Sequence, residues 1–120
     1  MKTVLIAEDE PALRLLLSAT LSGAALKLLE ASDGQEALDM ARLHKPDMIL
    51  LDVAMPKLNG FQVCQQLKAE PETWGTKIIL LTALAQETDK ARADQVGADG
   101  FISKPFNPHD LLRQVQEALA

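Results

Sequence analysis

Three short, uninterrupted apolar runs stand out along the chain: Val4-Leu5-Ile6-Ala7, Met48-Ile49-Leu50-Leu51 and Ile78-Ile79-Leu80-Leu81. Runs of this length without polar alternation read as strands buried on both faces. Each ends in a polar side chain: Glu8, Asp52 and Thr82. Two weaker segments complete the set. Leu26–Ala31 alternates only in part, and Lys27 within it predicts an edge strand. Gly100–Ser103 is a short strand closed by Lys104-Pro105.

Helical periodicity fills the gaps between these runs. Pro11 suits a first turn, Leu13, Leu16, Leu17 and Thr20 share a face, and Gly23 closes the segment. Asp33 and Glu36 form a capping-box-like pair opening a helix over Gly34 to Leu43, with Ala37, Leu38 and Ala41 inward and Pro46 ending it. Asn59-Gly60 reads as a turn, after which Phe61, Cys64 and Leu67 line one helical face. Residues 70–75 form a loop, in which Trp74 is expected to cover an edge of the core, with a partner contact as the weaker alternative. Glu87 to Val96 has only Ala91, Ala93 and Val96 to bury, so that helix is expected to be loosely held, with Gly97 as its stop. Asn107 caps the last helix, Pro108 takes its first position, and Leu111, Leu112, Val115, Ala118 and Leu119 make the clearest stripe in the chain.

Five strands alternating with five helices require right-handed crossovers and hence a parallel sheet. The expected fold is α/β, a doubly wound five-stranded flavodoxin-like (βα)5 sheet in the order 2-1-3-4-5, over one domain spanning 1–120. That order puts the acidic end of the first strand beside Asp52 and leaves the Lys27 strand on the edge.

Composition narrows the function classes. Twelve basic against 17 acidic residues give a net charge of -5, which offers no footprint for direct nucleic-acid binding. Cys64 is the only cysteine, so an internal disulfide or a thiolate metal cluster is excluded. No apolar run approaches bilayer length, and the first twenty residues carry acids, so the expectation is a cytoplasmic protein without a membrane segment.

A parallel sheet gathers all strand C-termini along one edge. Glu8, Asp9, Asp52, Thr82 and Lys104 would meet there. Close carboxylates raise one another's pKa unless a cation intervenes, and hard oxygen ligands with room for water suit Mg²⁺. A metal, the Thr82 hydroxyl and the Lys104 ammonium match the equatorial oxygens of a phosphoryl group in transfer. A carboxylate nucleophile would then give an acyl phosphate. Simpler roles exist for each residue alone. Acids cap helices, Thr82 suits a strand, and Lys104 suits a surface; only their joint placement is specific.

The pieces Ala7-Glu8-Asp9, Leu51-Asp52-Val53-Ala54-Met55-Pro56 with Asn59-Gly60, Leu81-Thr82-Ala83 and Phe101-Ile102-Ser103-Lys104-Pro105-Phe106 together resemble the receiver domain of two-component response regulators. The likeness covers residues 3–119, in the single-domain form typified by the chemotaxis regulator. It implies that Asp52 accepts a phosphoryl group from a sensor histidine kinase or phosphotransfer protein. Asp9, Asp52 and the Ala54 backbone carbonyl would hold Mg²⁺, and Glu8 would act through metal-bound water. Thr82 and Lys104 would bind the phosphoryl oxygens, and the Lys104-Pro105 bond would be cis. The same likeness makes Thr82 and Phe101 the switch, acting on a downstream protein target through the fourth helix, fifth strand and fifth helix. That face is also a candidate surface for a weak homodimer.

Departures from the pattern are few. Glu8 stands where aspartate is more frequent, and Phe101 lacks the hydroxyl of the frequent tyrosine. Ala54 and Leu84 flank the expected acyl phosphate and cannot orient water by hydrogen bonding, so its decay is expected to be limited by water access. Three other readings compete: a receiver-like module without phosphotransfer, an aspartyl phosphatase and a flavin protein. The intact site set argues against the first. The phosphatase would want a second acid where Ala54 stands, and Glu8-Asp9-Glu10 would repel a flavin phosphate. His44 and His109 are isolated and read as surface residues, and Cys64 as a small buried hydrophobe.

Overall fold

The computed structural model describes residues 1–83 and 87–120, leaving aside the side chains of Glu87 and Thr88. Its elements are β1 (Thr3–Ala7), α1 (Pro11–Leu21), β2 (Lys27–Ala31), α2 (Gly34–His44), β3 (Met48–Asp52), α3 (Gly60–Ala69), β4 (Lys77–Thr82), α4 (Glu87–Gln95), β5 (Gly100–Ser103) and α5 (Pro108–Leu119). The strands form one parallel sheet in the order β2-β1-β3-β4-β5. The expected flavodoxin-like architecture therefore stands, with Lys27 exposed on the edge strand.

The uninterrupted runs are apolar because both faces of the central strands are covered. Successive side chains alternate between faces. Leu5, Ala7, Ile49, Leu51, Ile78 and Leu80 meet the buried faces of α2 and α3. Val4, Ile6, Met48, Leu50, Ile79 and Leu81 meet α1 and α5, through Leu17, Leu21, Leu111 and Val115. Among the described helices, none is long and apolar enough to cross a membrane.

Several local expectations are refined. Leu16 is 45 % exposed, since Leu17 and Leu21 carry the α1 contact to the sheet. Gly23 is not the left-handed residue after α1; Ala25 takes that conformation, with φ 56°. Asp33 caps α2 by accepting from the Glu36 amide at 2.8 Å, but the Glu36 carboxylate takes the Ser32 amide, one residue before the cap. Asn59 is a helix cap and not merely a turn residue: it and Gln62 form a reciprocal capping box on α3. Trp74 is 62 % exposed, so most of its indole faces solvent and not the core.

Other expectations hold as read. Gly97 turns at φ 82° after α4, Asn107 caps α5 with Pro108 at its first turn, and Lys104-Pro105 is cis. Ala93 is the residue of α4 that is buried among those described, consistent with a weakly anchored helix.

Candidate functional site

Parallel register carries the polar strand ends to one edge. Ala7 pairs with Leu51, so Glu8 follows β1 at the level of Asp52. Asp52 pairs with Leu81, which places Thr82 one residue further along, and Thr82 pairs with Ser103, which precedes Lys104. Lys104 also donates its amide to the Thr82 carbonyl at 2.7 Å.

Four of the expected side chains come together. Carboxylate oxygens of Glu8, Asp9 and Asp52 lie within 4.8 Å of one another. Lys104 Nζ sits between two of these acids, 3.0 Å from Asp52 Oδ1 and 3.1 Å from Glu8 Oε1. Glu8 and Asp52 are buried, and Asp9 is the most open of the three. Thr82 is buried at the end of β4. Ala54 is exposed on the loop after β3, and its amide donates to Asp52 Oδ1 at 3.3 Å. Leu84 lies outside the described residues.

The charge balance is unequal. Burial, and next the adjoining Asp52 carboxylate, push the Glu8 carboxyl up to about 7; the Glu10 amide and Lys104 oppose this without cancelling it. Burial disfavours the Lys104 ammonium, but Asp52 and Glu8 outweigh that effect and its pKa is raised. Among the described residues, the Lys104 ammonium thus meets two acids of a three-carboxylate cluster. Such a donor set, hard oxygens carrying excess negative charge, fits a divalent ion of the Mg²⁺ kind.

The Asp52 loop is braced from two sides. Gly60 donates its amide to the Val53 carbonyl at 2.9 Å, closing the loop onto α3. At the start of α2, the Gly34 amide donates to the Pro56 carbonyl at 3.3 Å and Asp33 pairs with Lys57 at 3.4 Å. Lys57 itself is left-handed at φ 72°. A Cβ on Gly34 would lie 1.8 Å from the Leu58 carbonyl oxygen, so only glycine permits this contact.

Phe101 lies on the edge strand β5 that also leads to Lys104, half-buried opposite Leu80. It lines a cleft of ≈ 330 Å³ with Lys90, Ala93 and Asp94 of α4. α4 is further attached by Arg92, whose guanidinium lies 4.5 Å from the Phe61 ring centroid. Cys64 is fully buried on α3 beneath this region, and burial pushes its thiol up to about 11, which favours the protonated form near neutral pH.

Sequence reasoning passed over Arg14 and the Asp33-Gly34 brace. Arg14 Nη1 donates to the Glu8 backbone carbonyl at 2.7 Å. The only available signal was a lone cation on the polar side of an otherwise apolar helix.

The family model for the response regulator receiver domain matches residues 4–116. Among curated proteins, the alkaline phosphatase synthesis transcriptional regulatory protein PhoP of Bacillus subtilis is 39% identical over 98% of this chain and 48% of its own length. The probable transcriptional regulator ycf27 of Cyanophora paradoxa is 38% identical over the same shares. The chain thus spans about half the length of the curated relatives it matches. Among solved structures, the chemotaxis protein CheY4 of Vibrio cholerae aligns with TM-score 0.92 at 35% identity, over 98% of both chains. The receiver domain of sensor histidine kinase PA1611 of Pseudomonas aeruginosa, which has a magnesium ion coordinated in its active-site cleft, aligns with TM-score 0.90 at 28% identity over 98% of this chain and 97% of its own.

Proposed function

The chain belongs to the response regulator receiver domain family, a family of signalling proteins, and we propose that Asp52 is its phosphoacceptor. The donor is a phosphohistidine of a sensor histidine kinase or phosphotransfer protein. The observation that carries this reading is the Lys104 ammonium held between Asp52 and Glu8, with Asp9 closing the acidic set.

The chain's own groups divide the work. An Asp52 carboxylate oxygen attacks phosphorus as the phosphorus–nitrogen bond of the phosphohistidine breaks, and the imidazole leaves with the electron pair. Lys104 moves its charge from the carboxylates to a phosphoryl oxygen, and Thr82 donates its hydroxyl to another. Asp9, Asp52 and the Ala54 carbonyl would hold Mg²⁺, with Glu8 acting through water. Bound there, the ion would supply positive charge against the acids and the incoming phosphoryl group. The chain catalyses only its own phosphorylation and dephosphorylation in this reading.

The output follows from the weak anchoring of α4. Its burial through Ala93, and the open cleft it shares with Phe101, support a surface on α4, β5 and α5 that changes on phosphorylation and binds a downstream protein. The same face is proposed for any weak homodimer. Residues 1–120 are read as one receiver domain, acting in the cytoplasm without contacting nucleic acid directly.

Acetyl phosphate with Mg²⁺, followed by intact-mass measurement, tests the central step. Wild type should gain one phosphoryl group and Asp52→Asn none. A wild-type protein that gains no mass, or a variant that gains as much, refutes the assignment.

A further inference from the structure

The Glu8 carbonyl is the first main-chain acceptor after β1, at the start of the acidic turn. Its amide partner is already settled, since Glu8 N donates to the Ala31 carbonyl of the β2 edge at 3.0 Å. The carbonyl is met by a side chain instead. Arg14, four residues into α1, folds back so that Nη1 donates to it at 2.7 Å. The other end of the guanidinium, Nε, lies 3.2 Å from Glu30 Oε1 on β2. The Arg14 side chain is only 22% exposed, so this is a sheltered, charge-assisted contact.

The peptide between Glu8 and Asp9 is a rigid plane. Holding its oxygen fixes the plane, and the plane sets where the Asp9 Cα and its carboxylate stand relative to Asp52. The Glu8 carboxylate has its own restraints in the Glu10 amide at 3.1 Å and Lys104 at 3.1 Å. Asp9, the most open of the three acids, lies just beyond the pinned carbonyl. We propose that Arg14 is a positioning residue for the acidic site: by holding the Glu8 carbonyl it orients the Glu8–Asp9 peptide so that the carboxylates converge on one divalent cation. This rests on the reading that Glu8, Asp9 and Asp52 serve a metal.

The sign of the effect separates this role from the alternatives. Arg14 is a cation near a site for a cation. If its charge alone mattered, neutralising it would strengthen Mg²⁺ binding. If it positions the acids, neutralising it weakens binding. A third role, bracing α1 to β2 through Glu30, would be shared by both partners of that ion pair.

The test is calorimetric titration of Mg²⁺ into the full chain without a phosphodonor, with thermal unfolding followed in parallel. The variants are Arg14→Gln and Arg14→Met, the second keeping the aliphatic stem, together with Glu30→Ala. Whichever Arg14 variant retains the wild-type circular dichroism spectrum carries the comparison. Removal of a group that orients metal ligands should raise the Mg²⁺ dissociation constant about tenfold. Glu30→Ala removes only the exposed end of the ion pair and should stay within about twofold of wild type. Arg14 variants that bind Mg²⁺ as tightly as wild type, or more tightly, overturn the proposal. Equal weakening by Glu30→Ala also overturns it and leaves only a brace. A wild-type chain that binds no Mg²⁺ removes the underlying reading and the proposal with it, which the wild-type titration reveals on its own.

Discussion

Lys104 Nζ lies 3.0 Å from Asp52 Oδ1 even though β4 stands between their two strands. Neighbouring strands are about 4.8 Å apart, so the contact crosses roughly 10 Å of sheet edge. A lysine stem can span that distance, and a short side chain cannot. The same ammonium reaches Glu8 on the far side of β3, so a single residue from the end of β5 links three strands. The acids still outnumber it.

That imbalance makes Asp52 a stability liability in the metal-free protein. Asp52 is the chief neighbour that raises the Glu8 pKa, second only to burial. Asp52→Asn removes one buried charge and leaves Lys104 to pair with Glu8 alone. Urea unfolding at pH 8 with chelator should show the variant more stable than wild type by about 1 kcal/mol. A variant less stable than wild type would mean that the Lys104–Asp52 attraction outweighs the repulsion.

Glu8 should also give the metal-free protein a characteristic pH dependence. Its carboxyl moves from 4.5 when exposed to about 7 when folded. Between those values the native state holds a proton that the unfolded chain has released. Stability therefore falls as pH rises through this window; the penalty is absent below it and complete above it. Its size is on the order of 3 kcal/mol at most. The difference between wild type and Glu8→Gln in denaturant unfolding at pH 4.5, 6 and 8, with chelator, isolates it. Mg²⁺ at a hundred times its dissociation constant should return about 2.7 kcal/mol at pH 8. A wild-type–variant difference that does not change with pH would show that Glu8 is not the group responsible.

The brace on the Asp52 loop predicts a contrast between two glycines. Gly34→Ala would drive a Cβ to 1.8 Å from the Leu58 carbonyl, whereas Gly23 has nothing within 4 Å. Gly34→Ala should cost about 2 kcal/mol or more, and Gly23→Ala should stay within about 0.5 kcal/mol of wild type. Equilibrium unfolding of both variants decides it, and equal stabilities would show that the loop yields freely.

Cys64 should be inert until the fold opens. The thiol is fully buried and pushed up to about 11. At pH 8 almost none is thiolate, so disulfide-exchange reagents should label the native protein far more slowly than the urea-unfolded chain. Equal labelling rates would place the thiol within easy reach of solvent.

Much of this was legible along the chain because the relevant signals are local. Val4–Ala7, Met48–Leu51 and Ile78–Leu81 read as buried strands since each carries apolar side chains for both faces of the sheet. Pro108 after Asn107, and Gly97 after α4, report backbone needs confined to a single turn. The expectations that shifted were those where neighbouring residues offered equivalent solutions. Glu36 takes the Ser32 amide instead of that of Asp33, and Ala25 adopts the left-handed turn in place of Gly23. Leu16 and Leu17 are chemically alike, and only the angle of α1 on the sheet buries the second.

By itself, the sequence determined the alternation of strands and helices and the polar residue ending each strand. It thereby determined which side chains reach the carboxyl edge, since a parallel sheet leaves them no other place. Tertiary structure alone decided what those side chains do to one another. The rise of Glu8 to about 7 depends on its burial beside Asp52, 44 residues away. The Gly34 contact with Leu58 likewise joins elements that are remote along the chain. The grip of Arg14 on the Glu8 carbonyl depends on the tilt of one helix against one strand. Distances between remote residues and the dielectric around them are set by packing, and packing is a property of the folded chain as a whole.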